Sequence, residues 1–152
     1  MTMARQAMQV HIYIYRYQNG VYEYGIFQRS ENRLWWQGIT GGVESGESLE
    51  EAARREILEE SGISDELPLY RLDNISCLPG YLFDTKRRET WGEDVVVIPM
   101  YFFAMPYDGE IKLSHEHTGF QWLPFKQAHD LIYFHDQKVG LWELNERLNR
   151  GI

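Results

Sequence analysis

The chain has 152 residues, a length typical of one ordinary domain that can bury a core. Its content of 43% hydrophobic and 14% aromatic residues excludes a disordered chain. The formal net charge of -8 disfavours binding to nucleic acid or to anionic membranes, so handling phosphates would require metal cations or a local basic patch.

The first predicted element is a strand over residues 9–17, in which apolar residues alternate with histidine and tyrosine residues to give two different faces. The Asn19-Gly20 pair that follows is a strong hairpin signal, and residues 21–28 supply the returning strand. Residues 37–44 contain three glycines and predict a short strand that runs into a turn.

A helix is predicted to follow this turn. Ser48 can act as its N-cap, with Glu51 three residues later completing a capping box. Gly62 is the expected residue at its C-terminal end. The surrounding stretch, residues 41–63, contains seven glutamates and two arginines, which makes this helix unusually acidic.

The second half of the chain is predicted to contain four strands, one polar loop and two helices. The strands are predicted over residues 67–77, 78–83, 95–105 and 119–125, the loop over 83–94, and the helices around 125–134 and 137–149. Pro99 predicts a bulge or an edge in the third of these strands. Strands interleaved with helices at this length indicate an α/β or α+β sandwich, and we expect one domain over residues 1–152.

The glutamates of the acidic helix divide into two groups at about 100° per residue. If Leu49 is taken as zero, Glu56 falls at about 340° and Glu60 at about 20°, on the stripe predicted to face the protein. Glu59 lies at the border of that stripe, at about 280°. The charged residues predicted to face solvent are Glu50, Glu51, Arg54 and Arg55.

A buried pair of carboxylates is costly unless a cation or a hydrogen-bond donor neutralises it. Arg55 is not expected to do so, because it points about 100° away from Glu56. A hard divalent ion with oxygen ligands, Mg²⁺ or Mn²⁺, is the natural alternative. The competing interpretation places Glu56 and Glu60 at a solvent-exposed edge, where charged helical residues usually lie.

Residues 41–63 match, without a departure, the pattern G-x5-E-x7-R-E-U-x-E-E-x-G-U, in which U is a bulky aliphatic residue. The matching positions are Gly41, Glu47, Arg55, Glu56, Ile57, Glu59, Glu60, Gly62 and Ile63. The sequence therefore resembles a Nudix hydrolase, and nine specified positions make the resemblance highly specific. It implies an α/β/α sandwich with a mixed central sheet.

The same resemblance implies a Mg²⁺- or Mn²⁺-dependent enzyme that cleaves a pyrophosphate bond in a nucleotide-like substrate. Glu56, Glu59 and Glu60 correspond to its metal-binding carboxylates, and Arg55 to the residue that orients the loop glutamate Glu47. The resemblance implies that the catalytic residues are Glu47, Arg55, Glu56 and Glu59. The general base stays open between Glu59 and a carboxylate outside this stretch.

Two glycines complete the implied centre. Gly41 and Gly42 would let the backbone approach the metal or the phosphates, because glycine has no side chain. Gly41 is accordingly predicted at the metal and Gly42 at the substrate.

The resemblance extends from about residue 8 to about residue 148. IFQRS at 26–30 and LWWQGITGGVESGE at 34–47 are similar to the bacterial dATP / dihydroneopterin triphosphate pyrophosphohydrolase branch. This similarity implies substrate contacts by Arg29 and Thr40.

The late segment LSHEHTGFQWLPF, at 113–125, is similar both to that branch and to asymmetric dinucleoside tetraphosphate hydrolases. In both, the corresponding glutamate, here Glu116, is a further metal ligand. A polar loop with incidental histidines is the alternative, and His115 and His117 are left unassigned.

Three further residues are candidates for binding the substrate because of the chemistry of their side chains. Arg87 belongs to the basic cluster 86–88, and Tyr81 flanks that cluster. Arginine suits phosphate geometry and aromatic rings stack on bases, although a solvated loop is an equal alternative. Trp36, next to Trp35, is predicted to cover a nucleobase pocket, with one of the two tryptophans in the core.

The leading functional prediction is hydrolysis of a nucleoside triphosphate, or a related triphosphate, with release of pyrophosphate. A dinucleoside polyphosphate hydrolase is the alternative, although residues 37–40 are not the proline-rich approach typical of that branch. A distant alternative is a non-catalytic, ligand-sensing domain. The predicted partner is a small nucleotide-like molecule, with neither nucleic acid nor membrane, and the oligomeric state stays open, a homodimer included.

The predicted location is the cytoplasm. The single cysteine, Cys77, cannot form an internal disulfide, which fits a reducing compartment. The first ten residues lack the apolar run of a signal peptide, and no segment reaches the length of a membrane span.

Overall fold

The computed structural model describes residues 5–64 and 66–152, and within them one mixed sheet lies between helices. The strands are β1 Arg5–Gln18, β2 Val21–Arg29, β3 Trp36–Gln37, β4 Ile39–Glu44, β5 Tyr70–Pro79, β6 Val97–Pro106 and β7 His117–Pro124. The helices are α1 Leu49–Ser61, α2 Thr85–Trp91, α3 Phe125–Leu131 and α4 His135–Arg150, with a 3₁₀ turn at Gly80–Leu82. The predicted domain also includes residues 1–4 and 65, which lie outside the described residues.

Strand β1 organises the sheet. One of its edges pairs in parallel with β6, and the other pairs antiparallel with β4 and then with β2. Strand β5 continues the sheet beyond β6, while β3 and β7 both pair with β2. One parallel pairing among antiparallel ones makes the sheet mixed, as predicted.

The two faces of β1 are both buried, which explains its alternating sequence. Val10, Ile12 and Ile14 pack in one cluster with Ala53 and Ile57 of α1. Residues of α3 and α4 form a second cluster with Tyr13, on the opposite face of the strand. The predicted α/β/α sandwich is therefore confirmed.

The local signals for helix α1 and for the first hairpin are also confirmed. Ser48 and Glu51 form the capping box, and Gly62 ends the helix with φ of 75°. Asn19 and Gly20 both have positive φ, as a two-residue hairpin loop of the favoured twist requires.

Two predictions for the middle of the chain are wrong. Residues 78–83 do not form a separate strand, because β5 continues to Pro79 and the chain then turns into the 3₁₀ segment. The Gly80 N–H donates to the carbonyl of Val96 at 2.8 Å, which holds this turn against β6. The predicted loop 83–94 contains α2, whose first turn is capped by Asp84 accepting from the Arg87 N–H at 2.7 Å.

The edge interpretation of Pro99 is correct. Strand β6 pairs with β1 only from Met100 onward, so Pro99 lies where β6 has β5 as its partner strand. In the described part of the chain, no helix combines the length and the apolar character needed to cross a bilayer.

A fully buried histidine, His11, gives the fold a defined response to acid. Its ring stacks on Phe102, and its Nε2 accepts from the Gly38 N–H at 3.2 Å. Burial lowers the pKa of His11 to about 3, from 6.5 in the unfolded chain. Because the folded state resists protonation, stability is complete above pH 6.5 and decreases as the pH falls toward 3.

We therefore expect a His11→Gln variant to lose part of the pH dependence of the unfolding free energy. In the wild type, each pH unit below 6.5 costs up to about 1.4 kcal/mol through this group. Urea denaturation at a series of pH values measures the unfolding free energy of both proteins. Carboxyl groups titrate in both, so the difference between the two free-energy curves reports on His11 alone. Parallel curves below pH 6.5 would contradict a neutral, buried His11.

Candidate functional site

A cavity of about 670 Å³ opens where the glycines of β4 meet helix α1, the region of α2 and the start of α4. The charged residues of its lining are four glutamates, one aspartate and three arginines: Glu31, Glu56, Glu59, Glu116, Asp84, Arg5, Arg29 and Arg87. Its aromatic lining comes from Trp35, Phe83 and Phe134. The cavity therefore combines acidic, basic and aromatic surfaces.

Three glutamates of α1 converge beside this cavity, and two of them, Glu56 and Glu59, line it. One carboxylate oxygen from each of Glu56, Glu59 and Glu60 lies within 4.8 Å of the others. Glu56 and Glu60 are each 4% exposed, whereas the Glu59 side chain is 52% exposed. The division of the glutamates predicted from helical angles is confirmed, and the alternative that places Glu56 and Glu60 at a solvent-exposed edge is wrong.

The glycines before the helix make room for charged side chains on both sides of β4. A Cβ on Gly41 would overlap the carboxyl group of Glu56. A Cβ on Gly42 would lie 2.6 Å from Nη1 of Arg5. Neighbouring side chains therefore approach the backbone closely at both glycines, and at Gly42 the neighbour is the flexible end of Arg5.

Arg55 connects the acidic residues, contrary to the expectation that it faces solvent and leaves Glu56 unpaired. Its Nη1 lies 2.7 Å from Oε1 of Glu56 and 3.3 Å from Oε2 of Glu59. Its Nε lies 2.7 Å from Oε2 of Glu47, and its Nη2 donates to the Gly42 carbonyl at 2.8 Å. The helical angle fixes only the Cβ direction, and the long arginine side chain turns back toward the acidic group.

The electrostatic environment differs between the two buried carboxylates. Burial raises the pKa of Glu56 to about 7, even though the hydrogen bond from Arg55 opposes the shift. Burial would also raise the pKa of Glu60, but contacts with His117 and Ser114 outweigh it and hold this pKa below its usual range. Nδ1 of His117 lies 3.1 Å from Oε2 of Glu60, and the Ser114 hydroxyl donates to the same oxygen at 2.8 Å.

These carboxylates suit a divalent cation. Their donor atoms are hard oxygens, and a nearby positive charge would favour the ionised form of Glu56. Arg55 supplies part of that charge but also contacts Glu44, Glu47 and Glu59, so the group retains an excess of negative charge.

Glu116 lies at the cavity but outside the three-glutamate group. Its Oε2 is 3.4 Å from Nη1 of Arg29, which also contacts Glu31 at 2.7 Å. Thr40 lines the cavity and accepts a hydrogen bond from the Gln37 side chain at 3.2 Å.

Two of the aromatic and substrate-binding candidates lie elsewhere. Trp36 packs in the core formed with α3 and α4, whereas its neighbour Trp35 lines the cavity. Side chains of adjacent residues in extended backbone point to opposite sides, which explains why Trp35 and not Trp36 lines the cavity. Tyr81 is 76% exposed and outside the cavity lining, because the 3₁₀ turn directs Leu82 and Phe83 there instead.

Several residues at the site had no recognisable signal in the sequence. Arg5 lies far from the glutamate-rich stretch, and Phe134 and Gln137 come from the start of α4. Gln137 donates to the side chain of Gln37 at 3.1 Å, across a hundred residues of sequence. The Ser-His-Glu-His run did mark His117, but its contact with Glu60 depends on the fold.

Comparisons with known proteins identify the family of the chain. A family model for the NUDIX domain matches residues 8–142. The chain is 31% identical over 129 residues to an asymmetrical bis(5'-nucleosyl)-tetraphosphatase of Sus scrofa, covering 82% of this chain and 80% of that protein. It is 36% identical over 106 residues to an oxidized purine nucleoside triphosphate hydrolase of Danio rerio, covering 65% of this chain and 60% of that protein.

The fold is also similar to that of a solved structure, the E. coli dihydroneopterin triphosphate pyrophosphohydrolase. The TM-score is 0.77 with 20% identity, and the alignment covers 96% of this chain and 99% of that chain.

Proposed function

The chain belongs to the Nudix family, and we propose that it is a Mg²⁺- or Mn²⁺-dependent pyrophosphohydrolase that cleaves a nucleoside triphosphate or a related triphosphate and releases pyrophosphate. The observation on which this proposal rests is the convergence of Glu56, Glu59 and Glu60 beside a cavity lined by arginine and aromatic side chains. The volume of about 670 Å³ is within the range typical of small-molecule sites.

We assign the cation to Glu56, Glu59 and Glu60, with the Gly41 backbone adjacent and Glu116 as a further ligand. When bound, a divalent ion neutralises phosphoryl oxygens and lowers the pKa of a bound water molecule. The chain contributes a rigid arrangement for these carboxylates, because Arg55 holds both Glu47 and Glu56 at 2.7 Å.

The remaining polar residues would bind and orient the substrate. Arg29, Thr40 and Arg87 line the cavity, where arginine can hold phosphoryl oxygens. Glu59 and Glu116 are the partly exposed carboxylates that can accept the proton of the attacking water.

The aromatic end of the cavity suits a flat heterocycle. The ring centroids of Trp35 and Phe134 are 5.5 Å apart, and stacking on such side chains tolerates different bases. The dinucleoside polyphosphate alternative is favoured by the 31% identity to the Sus scrofa tetraphosphatase.

The products distinguish these two candidates. We expect wild-type protein with Mg²⁺ or Mn²⁺ to convert a nucleoside triphosphate into a nucleoside monophosphate and pyrophosphate, identified by mass spectrometry. Reaction in ¹⁸O-labelled water shows which phosphorus is attacked, and chelation of the metal should stop turnover. Formation of two nucleotides from a dinucleoside polyphosphate, without pyrophosphate release from any triphosphate, would establish the alternative.

We also assign the protein to the cytoplasm. Cys77 is a free and exposed thiol, which supports a reducing compartment.

A further inference from the structure

Two arginines that line the cavity make no direct polar contact through their guanidinium groups with any described residue. Among residues 5–64 and 66–152, the guanidinium groups of Arg5 and Arg87 form neither a hydrogen bond nor an ion pair. Arg87 lies over the ring of Phe83, with Cζ 5.9 Å from the ring centroid. By contrast, Arg29 and Arg55 are each held by at least two glutamates.

The fold brings these two positive charges together. Burial lowers the pKa of Arg87 and the proximity of Arg5 lowers it further, whereas Asp84, Glu116 and Glu56 oppose this shift. The indole Nε1 of Trp91 donates to the Arg5 carbonyl at 3.0 Å, which ties α2 to the start of β1. Two like charges held close together in a partly buried position repel each other, and an anion bound by both would remove this repulsion.

The glycine pair places Arg5 next to the acidic centre. Gly41 makes room for the carboxyl group of Glu56, and Gly42, one residue later, makes room for the guanidinium of Arg5. Arg5, Arg87 and Glu56 all line the same cavity. A phosphate chain with one part at Glu56 can therefore reach the two arginines with another part.

We propose that Arg5 and Arg87 together bind a phosphoryl group of the substrate beyond the two that flank the cleaved bond, and so select compounds with at least three linked phosphoryl groups. The position of the cleaved bond rests on the proposed function. Planar guanidinium groups donate paired hydrogen bonds to phosphoryl oxygens, so two of them suit a doubly charged group. A cation held by the three glutamates would neutralise the phosphoryl groups that flank the cleaved bond. The charge of the further phosphoryl group would then be left to the basic pair.

Binding of inorganic tripolyphosphate and of adenosine diphosphate tests this selection directly. Isothermal titration with Mg²⁺ present should show that Arg5→Gln and Arg87→Gln each weaken tripolyphosphate binding by about 10- to 100-fold, the effect of losing charged hydrogen bonds. Binding of adenosine diphosphate should change by less than about 3-fold, because it has only the two phosphoryl groups that flank the cleaved bond and neither needs the basic pair. Far-UV circular dichroism and melting temperatures establish that the variants are folded.

Lys86→Gln is the matched control, because it removes the same charge one residue away in α2. Lys86 is exposed and does not line the cavity, so both affinities should stay at the wild-type level. Gly42→Ala is a second variant that retains both charges. Its new Cβ would displace the flexible end of Arg5 and should weaken tripolyphosphate binding as Arg5→Gln does.

Equal losses for tripolyphosphate and adenosine diphosphate, or wild-type tripolyphosphate affinity in both arginine variants, would overturn the proposal. An effect of Lys86→Gln as large as that of Arg87→Gln would also overturn it, because general charge would then explain the result. If the proposed function is wrong, the wild-type protein will turn over no triphosphate. The binding measurements still test Arg5 and Arg87 in that case, so the two failures can be distinguished.

Discussion

A Glu60→Gln variant is expected to lose metal-dependent turnover by more than about 100-fold, since changes in the surroundings of a metal already cost 10- to 100-fold. Glu60 is one of three glutamates whose oxygens converge, and it is 4% exposed. Glutamine has nearly the same volume and can still accept the hydrogen bond from Ser114, so the fold should persist. Titration with Mn²⁺ should show a parallel loss of metal affinity.

The control for this experiment is Glu50→Gln, in the first turn of the same helix. Glu50 has a side chain 61% exposed and pairs with Arg54 at the surface, so its neutralisation should leave turnover within about 2-fold. A Glu60→Gln protein with wild-type Mn²⁺ affinity and turnover would show that the three carboxylates do not bind the catalytic ion.

An Arg55→Met variant is expected to lose about 3 kcal/mol of unfolding free energy, the typical lower cost of breaking a buried ion pair. Arg55 contacts Glu47 and Glu56, and Glu56 is 4% exposed. Without the guanidinium, a buried carboxylate would be left beside other glutamates. Urea denaturation of metal-free protein measures this loss.

The loss in Arg55→Met should depend on pH. Burial raises the pKa of Glu56 to about 7, above its unfolded value, so the stability due to its protonated form is present at low pH and lost as the pH rises through about 7. Removing Arg55 removes the contact that favours the charged form, and destabilisation should therefore be greater above pH 7 than below it.

Arg54→Met provides the matched comparison, because Arg54 is the preceding residue and pairs with the exposed Glu50. Its loss should stay below about 1 kcal/mol, as for surface ion pairs, and should not change around pH 7. Equal losses in the two variants would indicate that Arg55 is a surface residue and does not organise the site.

The features that depend on neighbouring residues were predictable from sequence. The capping box of α1, the Asn19-Gly20 hairpin and the burial of Glu56 and Glu60 each follow from spacing along a short segment. The glutamate-rich stretch also identified the family, because its nine positions lie within one continuous segment.

Tertiary structure decided which side chains complete the cavity. The sequence suggested Trp36 and Tyr81, but strand direction and the 3₁₀ turn bring Trp35 and Phe83 there instead. The prediction that Arg55 faces solvent failed because a helical angle describes where a side chain begins, while a guanidinium reaches several bonds further.

The sequence by itself determined the sheet-and-helix organisation, the family and the acidic centre, because repeating patterns and a continuous motif encode them locally. Only the tertiary structure brought Arg5 beside Arg87, more than eighty residues away in sequence, and His117 beside Glu60. Such contacts depend on how the sheet orders its strands and where α2 packs, and these are properties of the whole core that no short spacing contains.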